Sequence, residues 1–264
     1  MGNKSKRNKS STRSTSGPKV VIGYCHDDFV NAFWHASLIR VLWNEGRLIS
    51  TVAAVHSGPK IDGARNDIVR QFLDTNATHL LMVDTDMILP PNIASKLLAH
   101  DKDIAGALAF IGSFHGAPVR PNLHIIVPDE DGNPTITVMY DYPVNSLVQV
   151  DGTGAACMLI KRKVIEEILL ARGEDHPLPW FAYGMHNNVP IGEDIAFCLT
   201  AGKIGFETWV DTSMVIPHAK LRFLTDREYV LALSQEDHPY YDKREKVPIY
   251  KELISDGNTS LDGH

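Results

Sequence analysis

Asp84 and Asp86 stand one residue apart where an apolar run ends, in "HLLMVDTDMILPP", residues 79–91. Two carboxylates held close repel each other, so one must take a proton or both must share a cation, and a hard divalent ion is the usual partner. In extended backbone, residues i and i+2 point to the same side, which would present both groups to one spot. The competing reading makes Asp84 a cap and leaves Asp86 exposed, and the spacing alone does not choose between them. A second constellation lies downstream. Glu193 and Asp194 are adjacent at an expected helix start in "IGEDIAFCLTAGKIGFETWVD", and His218 follows an apolar run in "VIPHAK". Capping and the helix dipole would alone account for two acids at a helix start, and a histidine after a strand is more often structural than a ligand.

The scaffold that must position these residues is legible in the hydrophobic pattern. "KVVIGY" reads as a strand, "NAFWHASLIRVLWNEG" as a helix ended by Gly46, and "LISTVAAV" as a second strand. "GARNDIVRQFLDTN" puts Ala64, Ile68 and Phe72 on one helical face, and "HLLMV" is a third strand. A helix from about Pro91 to His100 and a strand "DIAGALAF" continue the series. Such alternation implies right-handed βαβ units, hence a mostly parallel sheet with helices on both faces. Ligands of open α/β sheets bind outside the carboxyl ends of the strands, and the aspartate pair falls at such an end.

The second half changes character. "LHIIVP", the turn "DEDGNP" and "TITVMYDY" read as an antiparallel hairpin. "SLVQVDGTGAACMLI" then precedes a helix beginning near Arg162, and a loop rich in Pro, Trp and Gly covers 173–192. A short helix after "GED" and a strand "FETWVD" lead to "MVIPHAK". Thr225 to Glu228 has the form of a capping box opening a helix through Leu233. No internal repeat is present.

Composition narrows the class. Of the 264 residues, 44% are apolar and 22% charged, as in ordinary globular proteins, and no segment approaches the ~18 unbroken apolar residues of a membrane span. Residues 1–17 carry Lys4, Lys6, Arg7, Lys9 and Arg13 and no acid, and read as a disordered basic tail. Taking those five positive charges from the net charge of −6 leaves −11 on the remainder, a poor surface for wrapping nucleic acid. No apolar stretch follows the basic residues as in a secretory signal, so a cytoplasmic location is expected. Cys25, Cys157 and Cys198 are far apart and lack CxxC spacing, which points to buried free thiols. The expected division is a tail over 1–17, one catalytic domain over 18–224, and a C-terminal helix with a polar tail over 225–264.

Taken in order, "GARN", "VDTDM", "VDGTGAACMLIKRKV", "GEDIAFC" and "PHAK" resemble a nucleotide-sugar glycosyltransferase of the GT-A fold, over about Lys19 to Arg222. The pattern is most similar to the small family-2-type enzymes of bacteria and bacteriophages. The resemblance implies a Rossmann-like, mostly parallel α/β sheet with a smaller antiparallel hairpin region. It implies that Asp84, Asp86 and His218 hold a divalent ion against the donor diphosphate, with Asp86 the more direct ligand. An imidazole beside carboxylates suits Mn²⁺ better than Mg²⁺. Arg65 and Asn66 would face the donor at a helix start, Gly152 and Gly154 would let backbone approach the donor sugar, and Lys220 or Arg222 would offset charge on the departing diphosphate. Asp194, with Glu193 beside it, matches the general base of inverting members. Trp180 and Phe181 sit where an aromatic shelf could stack an acceptor, although aromatics in a Pro-flanked loop more often pin that loop to the core. The implied donor is a UDP- or GDP-sugar, and the acceptor a protein hydroxyl, a glycan or a modified nucleic acid base.

Two other classes compete. A sugar nucleotidyltransferase would ordinarily place a Gly-rich, cationic loop after the first strand, where this chain has the acidic "GYCHDDF". A non-catalytic nucleotide- or sugar-binding module would be expected to lack some of the carboxylates, all of which are present.

Overall fold

The computed structural model describes residues 17–112, 119–220, Leu233, Glu236 and 241–246. Strand and helix alternate through the first half as β1 (Val20–His26), α1 (Ala32–Glu45), β2 (Ile49–His56), α2 (Ile61–Leu73), β3 (His79–Asp84), α3 (Ile93–Ala99) and β4 (Ile104–Ile111). The second half begins with β5 (Arg120–Pro121), β6 (Leu123–Pro128), β7 (Pro134–Val138), β8 (Leu147–Val150), β9 (Gly152–Thr153) and β10 (Cys157–Lys161). It continues with α4 (Arg162–Arg172), β11 (Gly184–His186), β12 (Val189–Ile191), α5 (Glu193–Lys203) and β13 (Thr208–Ile216).

The main sheet runs in the order β2-β1-β3-β10-β4-β13-β8, with β5 beside β4. β1 is parallel to β2 and β3, and β4 is parallel to β13. β10 is inserted antiparallel between β3 and β4, and β8 closes one edge antiparallel to β13. The expected mostly parallel sheet is therefore present, with one reversed strand at its centre. Its two faces are sorted by the period of two along each strand. Val21, Leu80, Met82, Met158 and Ile160 pack with α2, α4 and α5 on one side. Val20, Ile22, Leu81, Val83 and Leu159 pack with α1 and α3 on the other. Near-continuous apolar strands are what a sheet buried on both faces requires.

Local chemistry explains several boundaries. The Asn31 side chain caps α1 by accepting from the Phe33 and Trp34 amides at 2.9 and 3.3 Å. The β6–β7 hairpin is as expected, its turn closed by Asp129, whose carboxylate accepts from the Asp131 and Asn133 amides. β6 also pairs with β9 to form a separate three-stranded sheet. The 173–192 loop contains the small β11–β12 hairpin, because Asn187 and Asn188 both take positive φ (47° and 64°), a conformation asparagine tolerates better than most residues. "FETWVD" and "MVIPHAK", read as separate pieces, share the single strand β13, whose register shifts between Asp211 and Val215. All three cysteines are free and buried.

No helix among the described residues is long and apolar enough to cross a membrane. Residues 1–16, Arg222, the Thr225–Glu228 capping box and most of 225–264 lie outside the described residues; Leu233 is helical and fully buried.

Gly23, in the middle of β1, sets how closely α2 can approach. A methyl group there would overlap the Ile68 side chain and lie 3.1 Å from Leu80 Cδ1. Gly23→Ala should lower unfolding free energy by about 1–3 kcal/mol through overpacking, measured by urea titration, with Gly23→Val worse still.

Candidate active site

The carboxyl ends of β1, β3, β4 and β13 lie at one edge of the sheet, and α2 and α5 bring side chains to it. The centre of the arrangement is Arg65, in the second turn of α2. Its guanidinium donates from Nη1 to Glu193 Oε1 at 2.5 Å and from Nη2 to Asp84 Oδ1 at 2.8 Å. Arg65 is 3% exposed, so this is a buried clamp and not a surface ion pair. Burial opposes the charge on Arg65, but Asp84, Glu193 and Asp194 more than offset it and hold the group protonated well above its ordinary value. Burial likewise pushes the Glu193 carboxyl up, against the pull of Arg65. Cys25 is the register neighbour of Asp84 across β1 and β3, and burial raises its thiol to about 11. That thiol is inert at neutral pH.

Asn66 does not reach toward a ligand. Its amide donates to the Asp62 and Phe181 carbonyls, and its oxygen accepts from the Trp180 amide at 3.1 Å. Trp180 and Phe181 are 3% and 0% exposed. Trp180 Nε1 donates to the Ile165 carbonyl, and Phe181 stacks on Phe197 at 4.6 Å between centroids. The aromatic-shelf expectation is thereby corrected: both rings serve the core, fixed there by Asn66, and offer no free face to an acceptor. The donor-facing expectation for Asn66 is corrected for the same reason, since every polar atom of its side chain is already engaged.

Asp84 and Asp86 diverge. The backbone turns at Thr85–Asp86 instead of staying extended, so the i, i+2 geometry expected of a strand is lost. Asp84 turns to Arg65. Asp86 Oδ2 lies 2.8 Å from His218 Nε2 and 2.8 Å from Lys220 Nζ. This meeting is arranged by backbone: Met87 bridges His218, the Ile88 amide donates to the Pro217 carbonyl, and the Ala219 amide donates to the Asp86 carbonyl at 2.7 Å. Among the described residues, no group of three or more His, Cys, Asp or Glu is placed to hold a metal ion.

The Asp86–His218 pair nevertheless has a donor set suited to a divalent cation. His218 Nδ1 faces the Phe110 carbonyl at 2.9 Å, and a carbonyl only accepts, so Nδ1 carries a proton. Nε2 of the neutral ring then directs a lone pair at a carboxylate oxygen, and a proton or a cation must lie between them. An imidazole whose second nitrogen donates to a carbonyl is also the usual support for a metal-bound histidine. With a proton in place, the hydrogen bond to Asp86 raises the His218 value, and His218 and Lys220 together depress that of Asp86 in spite of its burial.

Asp194 stands next to Glu193, one end of the Arg65 clamp. In the first turn of α5 its Oδ1 accepts from the Ile195 amide at 2.8 Å and its Oδ2 from the Ala155 amide at 3.3 Å. Gly154 lies against that carboxylate, where an added Cβ would stand 3.5 Å from Oδ2. Gly152 has a packing role instead, since its Cβ would meet Ile195 at 3.1 Å and hold α5 off the sheet. His124 was not singled out by the sequence. It stands on β6 opposite Gly152, and its buried Nδ1 has no hydrogen-bond partner among the described residues; burial lowers its value while the Asp194 charge raises it. The alternation of β6 turns His124 away from buried Leu123, but nothing local in sequence links it to Asp194.

No protein-family model matches this chain, and no curated protein matches it. Many solved structures are similar in part, three of them as follows. The crystal structure of A197 from STIV aligns with a TM-score of 0.49 and 15% identity, over 78% of this chain and 86% of that one. GalNAc-T7 with UDP, GalNAc and Mn²⁺ aligns at 0.44 and 12%, over 92% of this chain and 55% of that one. A glycosyltransferase involved in glycosylation of the major capsid of PBCV-1 aligns at 0.33 and 11%, over 60% and 68%. The chain thus spans little more than half of the GalNAc-T7 chain.

Two outcomes test this geometry. Arg65→Ala strands the buried Glu193 carboxylate and should cost about 3–5 kcal/mol in urea unfolding. His218 with its raised value contributes stability below pH 6.5 that is lost as pH climbs through that raised value. Asp86 with its lowered value contributes stability above pH 3.8 that is lost as pH falls through the lowered one. The destabilisation caused by His218→Gln should therefore be greatest between pH 3.8 and 6.5 and shrink on both sides, measured by denaturant unfolding across pH.

Proposed function

We propose that the chain is a metal-dependent glycosyltransferase that moves a sugar from a nucleotide-diphosphate donor to an acceptor hydroxyl with inversion. The observation that carries this reading is the Asp86–His218 pair: a carboxylate and a backbone-oriented imidazole facing each other at 2.8 Å at the carboxyl edge of the sheet. Asp86 and His218 would hold Mn²⁺ or Mg²⁺, the pair supplying two protein donors and leaving the remaining positions for diphosphate oxygens and water. The ion would supply positive charge against the departing diphosphate.

The chain's own groups do the rest. Lys220, whose ammonium rests on Asp86, adds a mobile cation beside the leaving group, and Arg222 follows two residues on. Asp84 is held in place by Arg65 at the same sheet edge. Gly154 keeps the backbone bare next to Asp194, so no side chain crowds that carboxylate. Asp194 takes the acceptor proton as the acceptor oxygen forms its bond to the anomeric carbon, and the bond from that carbon to the diphosphate oxygen breaks on the opposite face. Glu193 acts through Arg65, fixing the start of α5 so that Asp194 stays in register with Asp84. The donor is a UDP- or GDP-sugar, and the acceptor a protein hydroxyl, a glycan or a modified base.

Thermal shift with UDP, GDP, CDP, TDP and ADP, each with and without Mn²⁺, tests the donor half. One diphosphate should stabilise the protein only when metal is present, by about 2.7 kcal/mol at a hundred times its dissociation constant, and Asp86→Ala should abolish the metal-dependent part. Asp194→Asn should retain that shift yet lose transfer by about 10²-fold or more. Full donor binding with no turnover by the parent protein toward water or any acceptor would favour a binding module.

A further inference from the structure

α5 joins the candidate site to a cavity at its other end. Asp194, Cys198 and Gly202 follow at intervals of four, so they share one face of the helix, about 12 Å from first to last at 1.5 Å per residue. That face meets the small three-stranded sheet, since a Cβ on Gly152 of β9 would touch Ile195 and Cys198. Residues paired across an antiparallel ladder turn their side chains to the same side, so His124, the partner of Gly152, also faces α5. Ile126, two residues along β6, does the same. Between Ile126 and the last two turns of α5 lies a cavity of about 430 Å³, within the size range of small-molecule sites.

The cavity has an apolar floor and a polar rim. Val150 and Cys198 are buried beneath it, and Phe206 gives it a half-buried aromatic side. Two carboxylates on the rim are held in place: Asp151 Oδ2 accepts from the Ile126 amide at 2.6 Å, and Glu207 Oε2 accepts from Trp209 Nε1 at 3.1 Å. Gln149 and Lys203 add donors. His186 of β11 lines the cavity as well, and its Nε2 is buried with no hydrogen-bond partner among the described residues. A buried polar atom in that state costs free energy unless something entering the cavity satisfies it. The neighbouring Asn187 side chain donates to the Pro134 carbonyl, which ties the β11–β12 turn to the β6–β7 hairpin and keeps His186 beside the cleft.

Hydroxyl groups both donate and accept, so a polyhydroxylated ring can satisfy carboxylates, an amide, an ammonium and an imidazole together while its C–H face lies on Phe206 and Ile126. Anions are opposed by Asp151, Glu207 and the carbonyl end of α5. We propose that the cavity takes a neutral oligosaccharide segment, and hence that the acceptor of the proposed transfer is a glycan with its reacting end at Asp194 and its further units running along α5. The distance from Asp194 to Gly202 exceeds one sugar ring, so the unit in the cavity is not the one that reacts. The acceptor role rests on the transferase reading, whereas occupation of the cavity by a sugar chain does not.

Gly202 provides the test, because it lines the cavity and a Cβ there would meet nothing within 4 Å. The full chain is applied to an array of neutral oligosaccharides of increasing length, built from glucose, galactose, mannose or N-acetylglucosamine, with sialylated glycans and serine- and threonine-rich peptides beside them. One neutral series should be bound, more tightly as the chain lengthens. Gly202→Trp should weaken that binding about tenfold or more by filling the cavity, and Glu207→Ala about fivefold through a lost hydrogen bond. Both variants should melt near the parent temperature and keep its Mn²⁺-dependent stabilisation by a nucleoside diphosphate. Binding to no neutral oligosaccharide, binding indifferent to Gly202→Trp, or preference for the sialylated glycans or the peptides would each overturn the assignment. Metal-dependent diphosphate stabilisation without glycan binding would sink this inference and leave the transferase reading standing; glycan binding sensitive to Gly202→Trp without that stabilisation would do the reverse.

Discussion

A single guanidinium, that of Arg65, ties together three elements, α2, β3 and α5. It is carried by α2, it grips Asp84 at the end of β3, and it grips Glu193 at the start of α5. Taking an arginine and a carboxylate out of water is costly unless geometry and charge both compensate, and here two carboxylates share one planar donor. A lysine could not span both with the same fork. The arrangement therefore converts burial into position: once α2 packs against β1, the directions of Asp84 and the first turn of α5 are set.

A different force shapes the other side of the edge. The chain after β3 is paired by backbone hydrogen bonds to residues 217–219, and this alone brings Asp86 under His218 and Lys220. The two aspartates thus answer to different partners. Asp84 is held in a buried clamp, whereas Asp86 faces Lys220 and His218, the latter a ring whose charge changes with protonation. In the proposed reaction that division separates the group that must not move from the groups that must respond.

The elements of the first half were readable because their signals are local: a period of two or of 3.6, a terminating glycine, alternation of strand and helix. The candidate positions 84, 86, 194 and 218 were readable as residue types, and the sheet edge does collect them. Their partnerships were not. Arg65 and Glu193 are 128 residues apart in sequence, Asp86 and His218 are 132 apart, and no periodicity reports such pairs. The i, i+2 argument for the aspartates failed because it assumed the strand continued past Asp84, when the pull of the 217–219 segment turns the chain there. Trp180 and Phe181 show a related limit. Their Pro-flanked surroundings suited a shelf and a pin equally, and the deciding group, Asn66, lies 114 residues upstream of Trp180.

The reversed strand at the centre of the sheet has a consequence for how the molecule assembles. β3 and β4 follow one another in sequence but are separated in space by β10, which arrives only at residues 157–161. A nascent chain that has emerged as far as β4 therefore has two facing strand edges with a slot between them and no native occupant. The contacts that fill it have high sequence separation, so ordering of the central sheet must wait on closure of a long loop. During that interval the half-built sheet exposes apolar strands with unpaired backbone, a surface that favours chaperone capture or self-association over independent folding of the first half.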